Sequence, residues 1–471
     1  MQDSYPRDLS GYGRTPPHAE WPGGARVCLQ FVLNYEEGGE NNILHGDAAS
    51  EAFLSEIVGA VPWPGQRHMN MESIYEYGSR AGFWRLYRMF SDRGLPLTVF
   101  AVAKALERNP EPIAAMKEVG WEIASHGLKW IDYKDFTLAD ERAHVLEAIR
   151  LHTRLTGERP LGFYQGRASE HTMRIVMEEG GFLYAADSYA DDLPYWVKGP
   201  AGQQLVIPYT LDANDMRFAA AQGFNSGDQF FAYLKDSFDY LYAEGETAPK
   251  MLSIGLHSRL VGRPGRAASL ARFLDYVLEH ENVWVATRLD IAKHWIGTHA
   301  PPGGYVPSLM SKALFVERFG GVYEHSPWIA QEAYDRGLSG ADAAVALARR
   351  MAAVVAAAAH DKQLALINAH PDLSGKLAQA KLLTADSTAE QSSAGLDRLT
   401  ADELAKFTQL NDAYKAKFGF VFIMAVRGRS KEDILGAFEQ RLKNSVEDEF
   451  REALTQIDRI AELRLTQMLP A

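Results

Sequence analysis

The sequence predicts two domains, an α/β domain whose parallel sheet is open or closed into a barrel, followed by an all-helical domain. Three observations support this prediction. Strand-like apolar runs alternate with helix-like segments up to about residue 296, the strand signals then fade, and 471 residues are too many for one ordinary domain. We place the α/β domain at 1–298, a linker rich in Pro and Gly at 299–308, and the helical domain at 309–471.

Eight runs of the first domain are nearly continuous in apolar residues, which is typical of strands buried on both faces. In chain order they read VCLQFVLNYE, LPLTVFAVA, GWEIASHG, PLGFYQG, FLYAADS, QLVIPY, MLSIGLHS and VWVAT. The segments between them have helical character, as in SIYEYGSRAGFWRLYRMF, LADERAHVLEAIRLHTRLTG, GDQFFAYLKDSFDYLYAEG and RAASLARFLDYVL. Strand followed by helix, repeated, indicates crossover connections and therefore a parallel sheet.

Polar residues gather where these runs stop. They are Glu36, His126, Arg167, Asp187, Tyr209 and His257. In parallel barrels the loops that follow the strands build the active site. The sequence therefore predicts that these side chains converge at one end of the sheet.

The second domain shows helix signals without strand signals. Thr400 and Glu403 form a capping-box pattern that opens ADELAKFTQLNDAYKAKFG, and Gly419 ends it. Ser430 and Asp433 open KEDILGAFEQRL in the same way. A helical apolar stripe continues through the last segment. This half is predicted to be all-helical.

Composition excludes several classes of function. A formal net charge of -12 disfavours a nucleic-acid surface, although the short stretch RLVGRPGR could hold a small anion. The single cysteine, Cys28, rules out an internal disulfide and a cysteine-based metal cage. The first residues lack the apolar core of a signal peptide, and no apolar run is long enough to span a membrane. We expect a cytoplasmic protein that binds neither nucleic acid nor membrane.

The strand-end residues of the first domain suit a hydrolase. Hydrolysis of an amide needs a base for water, an acid for the leaving nitrogen and donors for the oxyanion. Glu36, His126 and His257 can supply the first two roles. Taken singly, each has a plainer explanation, because a lone histidine is more often a structural hydrogen-bonding group and a lone carboxylate is more often solvated.

Seven blocks of the first 300 residues resemble the allantoinases of the polysaccharide-deacetylase superfamily. These blocks are LQFVLNYEEGGE, ESIYEYGSRAGFWR, ASHGLKWIDY, PLGFYQGRAS, DSYADDLPYW, IPYTLDANDMRF and GLHSRLVGRPGR. The resemblance implies a distorted (β/α) barrel of the polysaccharide-deacetylase (NodB-like) type that opens the hydantoin ring of allantoin. It also implies the absence of the superfamily's Asp-His-His metal site, because these allantoinases lack that cofactor.

The residues agree with a site that holds no metal. The acidic motif reads NYEE and ends at Glu36 and Glu37, and the place of the second histidine is taken by Trp130. An indole N–H donates a hydrogen bond but cannot ligate a metal, which leaves fewer than the three ligands a catalytic metal needs. We therefore expect no cofactor. The alternative is a divalent metal such as Zn held by Glu36 or Glu37 and His126.

The chemistry of these side chains suggests their roles within the barrel. Glu36 or His126 positions water, His257 helps at the leaving nitrogen, and Trp130 offers a flat wall to the planar ring. Three arginines are candidates for holding ureido or carboxylate oxygens, since a guanidinium makes paired hydrogen bonds. They are Arg167, Arg259 and Arg263.

The helical half resembles, over roughly 310–468, the decarboxylases that act on 2-oxo-4-hydroxy-4-carboxy-5-ureidoimidazoline (OHCU). The blocks that carry this resemblance are FVERFGGVYEHSPWIAQEA, INAHPDLSGKLA, TAEQSSAGLDRL, LNDAYKAKFGFVFIMAVRGRS and QIDRIAELRL. It implies that His370 of AHPDL is the proton donor and that Glu390 holds His370 or the substrate hydroxyl. The implied pocket residues are Pro371, Ser387, Gln391, Phe422, Ile423, Met424, Ala425 and Val426. A histidine that stood by itself at a helix end would more often serve as a helix-terminal cation.

The two resemblances imply reactions that share one metabolite, (S)-allantoin. The second domain would decarboxylate OHCU to (S)-allantoin, and the first would hydrolyse allantoin to allantoate. Decarboxylation needs no cofactor, because the conjugated imidazoline accepts the electrons and a histidine returns the proton. The alternatives for the barrel are a metal-dependent carbohydrate N-deacetylase and a decayed ligand-binding module. We expect small-molecule substrates and a symmetric homodimer or tetramer.

Overall fold

The computed structural model describes residues 7–57, 59–199, 202–370 and 400–469. The chain divides into two compact units, Met1–Gly303 and Gly304–Ala471. The first unit is α/β, and the described part of the second contains helices and no strand. The predicted fold class, an α/β domain followed by an all-α domain, is confirmed.

A nine-stranded sheet forms the centre of the first unit. Its strands are β1 Val27–Tyr35, β2 Thr98–Ala101, β3 Glu122–Ser125, β4 Gly162–Phe163, β5 Tyr184–Ala185, β6 Tyr195–Gly199, β7 Gly202–Val206, β8 Lys250–His257 and β9 Val283–Val285. The order is β6-β7-β5-β4-β3-β2-β1-β8, and β9 pairs with the first residues of β1. Only β6 and β7 are antiparallel. The other strand pairs are parallel, which agrees with the crossover connections that the sequence predicts.

The sheet curls toward closure without completing a regular barrel. Asn214, which follows β7, makes an isolated parallel bridge to Gly255 of β8. The Gly255 N–H donates to the Ala213 carbonyl at 3.0 Å. This short contact, rather than a full strand ladder, joins the two ends of the sheet, so the barrel is distorted.

Helices of the first unit cover the sheet. They are α1 Met69–Tyr77, α2 Phe83–Ser91, α3 Ala103–Arg108, α4 Glu111–Glu118, α5 Leu138–Thr156, α6 Thr172–Glu179, α7 Gly227–Glu244, α8 Pro264–Leu278 and α9 Arg288–Thr298. The core packs β1 against two of them, since Phe31 meets Phe90 of α2 and Phe273 of α8 edge-on, at 5.2 and 6.4 Å. Each buried aromatic stabilises the fold by about 1.5–3 kcal/mol.

A fully buried arginine lies within the first unit. The Arg288 guanidinium donates to Gln30 of β1, to the Ile207 carbonyl and, at 3.0 Å, to the Pro208 carbonyl. Its backbone N–H donates to the Thr98 hydroxyl of β2 at 2.8 Å. These bonds connect β1 and β2 to the segment that follows β7. That segment carries further polar residues toward the strand ends.

The helix-like segment at 73–90 is interrupted in the structure. A π-helical turn, Gly78–Gly82, separates α1 from α2. A Cβ added to Gly78 would lie 2.3 Å from Glu37 Oε1, and one added to Gly82 would lie 2.0 Å from the Ser258 carbonyl oxygen. The turn therefore lets the helix backbone approach two strand ends directly, as π turns often do near functional sites.

The second unit contains seven described helices. They are α10 Lys312–Phe319, α11 Trp328–Asp335, α12 Ala344–Ala357, α13 His360–Ala369, α14 Ala401–Phe418, α15 Lys431–Arg441 and α16 Val446–Met468. Both predicted capping boxes are present, at the starts of α14 and α15, and Gly419 ends α14 in the left-handed conformation. These local predictions are confirmed. Among the described residues, no helix combines the length and apolar character needed to cross a bilayer.

The close approach at Gly82 predicts a stability effect. Gly82→Ala places a methyl group against the Ser258 carbonyl, and overpacking of this kind typically costs about 1–3 kcal/mol. Gly297→Ala, in α9, meets nothing within 4 Å and should be neutral or stabilising by up to about 1 kcal/mol, because alanine is the better helix former. Calorimetric melting of both variants tests this. Equal melting temperatures would contradict it.

Candidate active sites

Four polar side chains meet at the carboxyl ends of the central strands. Glu36 follows β1, His126 follows β3, His257 ends β8, and Arg259 lies two residues beyond it. The register places Asn34 of β1 opposite His257. Because carboxyl ends of parallel strands lie at one edge, residues far apart in the sequence are brought together. All four are buried, with exposures of 0–4%.

Glu36 is the centre of this cluster. Its Oε1 lies 3.3 Å from His126 Nε2 and 3.5 Å from His257 Nε2. Its Oε2 lies 2.7 Å from Arg259 Nη2. One carboxylate therefore links both imidazoles to a buried guanidinium, and three residues predicted as catalytic share one site with a predicted substrate-binding arginine.

Asp215 completes the cluster, and the sequence did not single it out. Its Oδ1 lies 2.6 Å from His257 Nδ1, while its Oδ2 accepts from the backbone N–H groups of His257 and Val261, at 2.7 and 2.9 Å. Asp215 opens a short 3₁₀ turn, Asp215–Ala219, instead of ending a strand. The only available signal was its place inside the block IPYTLDANDMRF.

The protonation states of Glu36 and His257 follow from these contacts. Burial would raise the pKa of Glu36, but the Arg259 charge, followed by His257, holds that pKa well below its ordinary value. Burial would lower the pKa of His257, yet the carboxylates of Asp215 and then Glu36 raise it to about 9. At neutral pH the site therefore holds a carboxylate beside an imidazolium.

Arg259 is held on every side. Its guanidinium lies 4.4 Å from the Tyr75 ring centroid and 5.2 Å from that of Trp130. Its Nη1 lies 3.7 Å from Glu37 Oε1, and its Nε donates to the Leu54 carbonyl at 3.3 Å. Although burial opposes the charge, the surrounding groups raise the pKa of Arg259, so the cation persists.

Trp130 and Arg167 form a wall beside the cluster. The Arg167 guanidinium lies 3.9 Å from the Trp130 ring centroid and 3.5 Å from Glu51 Oε1. Asp187 supports the loop that carries Arg167, because it accepts from the backbone N–H groups of Gln165 and Gly166, both at 2.7 Å.

Arg263 lies in a different environment from the Glu36 cluster. It pairs with Glu56 at 3.4 Å and covers the Tyr77 ring at 3.6 Å. The neighbouring Arg266 also pairs with Glu56, at 2.7 Å. The arginines of RLVGRPGR therefore face carboxylates of the same chain.

The donor set does not fit a divalent metal. Glu36 and His126 provide two donors, while the Trp130 indole cannot ligate. The third nearby nitrogen, His257 Nε2, belongs to a ring whose pKa the carboxylates of Asp215 and Glu36 raise to about 9, so a metal would have to displace a proton there. Arg259 places a buried positive charge on Glu36 itself. Within the described residues, no group of three or more His, Cys, Asp or Glu side chains is arranged to hold a metal.

In the second unit, His370 caps the carboxyl end of α13 and is buried. Its Nδ1 lies 2.9 Å from the Leu366 carbonyl oxygen. Because a carbonyl can only accept, Nδ1 carries the proton, and Nε2 becomes the atom that exchanges one. The helix end thus fixes both the orientation and the tautomer of the ring.

The segment Phe422–Val426 is irregular and mostly buried. Phe422 stacks on Phe438 of α15 at 3.7 Å, and the backbone N–H of Ala425 donates to Gln456 at 3.0 Å. Ile423 offers its carbonyl to Arg441 at 2.6 Å, Val426 is buried and Met424 is half-buried. These contacts hold the segment's backbone against α15 and α16.

Two buried arginine–glutamate pairs of the second unit were not predicted. Arg441 Nη2 lies 2.5 Å from Glu449 Oε1, and Arg464 Nη1 lies 3.1 Å from Glu324 Oε2. In the sequence alone, these residues are visible only as charged positions among apolar ones, with nothing to indicate that they pair. Four predicted residues of this half, Pro371, Ser387, Glu390 and Gln391, lie outside the described residues.

Comparison with known proteins agrees with both units. The polysaccharide deacetylase family model matches residues 70–180, and the OHCU decarboxylase model matches 308–466. A crystal structure titled Puue Allantoinase is 64% identical, with a TM-score of 0.62, and the match covers 63% of this chain and 98% of that chain. A probable polysaccharide deacetylase of Pseudomonas aeruginosa PAO1 is also 64% identical, with the same TM-score and 63% and 99% coverage.

The second unit has its own relatives. The OHCU decarboxylase of Haloferax volcanii is 42% identical over 154 residues, which are 32% of this chain and 88% of that protein. Fold and site thus define a polysaccharide-deacetylase-type domain joined to a helical decarboxylase domain. The chain belongs to the polysaccharide deacetylase family through its first unit and to the OHCU decarboxylase family through its second.

The Asp215–His257 contact predicts a pH dependence. The folded protein raises the pKa of His257 from 6.5 to about 9, so the stability gained from the charged ring is complete below pH 6.5 and is lost as the pH rises toward 9. Asp215→Asn removes the larger of the two negative charges that raise this pKa, and the ring should then titrate well below 9. Imidazole ¹⁵N NMR measures this.

The matched control is Asp212→Asn. Asp212 accepts from Thr210 and Tyr233 instead of His257, so this variant should leave the His257 titration unchanged. An Asp215→Asn protein whose His257 still titrates near 9 would contradict the assignment.

Proposed function

We propose that this chain is a bifunctional enzyme of urate degradation. The second unit decarboxylates OHCU to (S)-allantoin, and the first hydrolyses the hydantoin ring of allantoin to allantoate. Family membership of the two units supports the pair of activities, because the product of one is the substrate of the other. The buried Glu36 cluster carries the hydrolase assignment, since it joins a carboxylate, an imidazolium and a guanidinium in one water-poor site.

In the hydrolase site, water attacks the carbonyl carbon of a ring amide. A carbon–oxygen bond forms, and the ring carbon–nitrogen bond then breaks. Glu36 or His126, which lie 3.3 Å apart, orients the water and takes its proton. His257, protonated at neutral pH, gives a proton to the leaving nitrogen.

Two arginines and Trp130 complete the proposed site. Arg259 stabilises the oxyanion, because a buried cation acts strongly where water is excluded. Trp130 and Arg167 hold the planar ring and its ureido group. Arg263 lies farther out, with Glu56, and suits the ureido end of the substrate.

The proposed hydrolysis uses no metal. Arg259 stabilises the negative charge that develops on the carbonyl oxygen, as a Lewis acid would. Its own charge already balances that of Glu36. The alternative with Zn at Glu36 or Glu37 and His126 would bring a divalent cation beside that guanidinium, and Coulomb repulsion in a buried site disfavours this.

In the decarboxylase site, the conjugated ring of the substrate accepts the electron pair that decarboxylation releases. Loss of carbon dioxide breaks a carbon–carbon bond and leaves an electron pair in the conjugated imidazoline. His370 then returns a proton from Nε2 to one face of the ring, which sets the (S) configuration. The bond from Nδ1 to the Leu366 carbonyl keeps the ring turned for this transfer.

We further place the enzyme in the cytoplasm. Both proposed substrates are small molecules. Closed symmetric assemblies are the commonest form for soluble enzymes, so a homodimer or homotetramer is the expected state. Neither nucleic acid nor membrane enters the proposed function.

Chelator treatment tests the metal-free hydrolysis. Protein dialysed against a strong chelator should hydrolyse (S)-allantoin at the untreated rate, with metal content by elemental analysis far below one ion per chain. A metal-dependent deacetylase treated in parallel shows that the chelator works. Loss of activity together with a stoichiometric metal, restored by Zn²⁺, would refute the proposal. Acetate released from N-acetylglucosamine oligomers would support the deacetylase alternative.

Replacement of His370 tests the decarboxylase. His370→Asn should lower the rate of (S)-allantoin formation from OHCU by about 10²–10⁴-fold, the usual contribution of a positioned general acid. Hydrolysis of supplied (S)-allantoin should continue. Circular dichroism follows the product. His360→Asn is the control, because His360 lies at the start of α13, the helix that His370 caps, and stacks on Phe450 of α16. Unchanged stereospecific turnover in His370→Asn would contradict the assignment.

A further inference from the structure

A loop with a closed neck covers the hydrolase site. At the neck, the Trp63 N–H donates to Ser50 Oγ at 3.0 Å, and the Ser50 N–H donates to the Trp63 carbonyl at 3.3 Å. Ala49 and Pro64 form an antiparallel bridge next to them. Between these points the described residues form no helix or strand. Loops of this kind are compact and are frequently functional.

The segment Glu51–Glu56 of this loop, called the lid here, contacts all three predicted substrate-binding arginines. Glu51 pairs with Arg167 at 3.5 Å, and the Leu54 carbonyl accepts from Arg259 at 3.3 Å. Glu56 pairs with Arg263 at 3.4 Å. Carboxylate and carbonyl oxygens of the lid thus use the donors that would bind the ureido and carbonyl oxygens of a substrate.

The lid also holds a strained residue. Leu54 has φ of 48°, in the left-handed region that disfavours a branched side chain. It is nevertheless buried, and its carbonyl reaches the Arg259 Nε. Strain of this kind persists only while surrounding contacts hold it, so the closed position depends on the arginine contacts.

Phe53 lies on the lid opposite Trp130. The two ring centroids are 6.0 Å apart and the planes are inclined by 22°. A planar ring inserted between two others needs a separation of about 7 Å, twice the usual contact distance of about 3.5 Å. The Arg167 guanidinium lies over both rings, 5.0 Å from the Phe53 centroid and 3.9 Å from that of Trp130. A lid shift of roughly 1 Å, together with a sideways movement of Arg167, would therefore open a slot for a flat heterocycle.

The surroundings of Phe53 support a role in binding rather than in folding. Its side chain is 49% exposed, so it adds little to the core. It borders a cavity of about 530 Å³ that is also lined by Asn41, Glu51 and Arg167. The catalytic cluster beyond it is closed to solvent, with Glu36 1% exposed. A substrate cannot reach Glu36 unless the covering segment moves.

We propose that Phe53 is a specificity-determining residue of the hydrolase site, and that the lid closes with the substrate ring between Phe53 and Trp130. This inference rests on the proposed hydrolysis of allantoin. The ureido group then lies toward Arg167 and Glu51, while the reacting amide points toward Glu36. Opening of the lid admits the ring, and closure excludes bulk water from the reaction.

Steady-state kinetics on the full chain test the proposal. Phe53→Ala removes one face of the slot and should raise KM for (S)-allantoin at least tenfold while kcat changes less than threefold. Phe53→Trp keeps a flat face and should retain KM within threefold. The matched control is Val61→Ala on the same loop, because Val61 is 62% exposed and lies outside the lid.

Competitive inhibition by unsubstituted hydantoin gives a second readout. Its inhibition constant should rise in Phe53→Ala and stay unchanged in Val61→Ala, a pattern that a purely structural role would not produce. Equal KM and inhibition constants in the two variants, with normal melting temperatures, would overturn the inference. If Phe53→Ala unfolds, Phe53→Leu is measured in its place against the same expectation. A wild-type chain that leaves allantoin intact would instead refute the proposed hydrolysis itself.

Discussion

The buried ion pair between Glu36 and Arg259 is the constraint on which the first unit's site depends. Both side chains are out of contact with water, and their charges are 2.7 Å apart. Removal of either partner would leave a buried charge uncompensated, which typically costs about 3–5 kcal/mol. The remaining oxygen of Glu36, Oε1, faces two imidazoles, and the remaining donors of Arg259 face Glu37 and the Leu54 carbonyl. The fold thus maintains opposite charges in a medium where they act strongly on a substrate.

Backbone packing determines where this pair lies. Arg259 follows β8 after one residue, and the carbonyl of that residue, Ser258, is approached by the Cα atoms of both Gly82 and Gly262 so closely that no Cβ would fit. Gly78 makes the same kind of approach to Glu37. The π turn between α1 and α2 is therefore part of the site's support. A regular helix with side chains at these positions would push the two strand ends apart.

Local sequence signals predicted the parts of the site that follow regular elements. Glu36, His126 and His257 were identifiable because each stands where an apolar run ends, and the edge of a parallel sheet gathers such residues. Asp215 and Phe53 lie on turns without periodicity, so their partners become visible only in three dimensions. Arg259 was predicted to hold substrate oxygens, but its pairing with Glu36 depends on a contact across 222 intervening residues, between positions 36 and 259. In the second unit the capping boxes fixed the helix starts, whereas the Arg464–Glu324 pair joins α16 to a loop 140 residues earlier in the chain, a contact that no local pattern indicates.

The two histidines with proposed acid roles are oriented by different partners, and the difference suits their reactions. The Nδ1 of His257 faces the carboxylate of Asp215, a negative charge that keeps the ring protonated and ready to donate to a leaving nitrogen. The Nδ1 of His370 faces the Leu366 carbonyl, a neutral acceptor that fixes the tautomer of the ring. A decarboxylase must first bind an anionic substrate and then deliver one proton to carbon, so a ring that can exchange its Nε2 proton at each turnover is what this chemistry requires. Both rings must regain their proton in each turnover, and what differs between them is the partner that orients Nδ1, a carboxylate for His257 and a backbone carbonyl for His370.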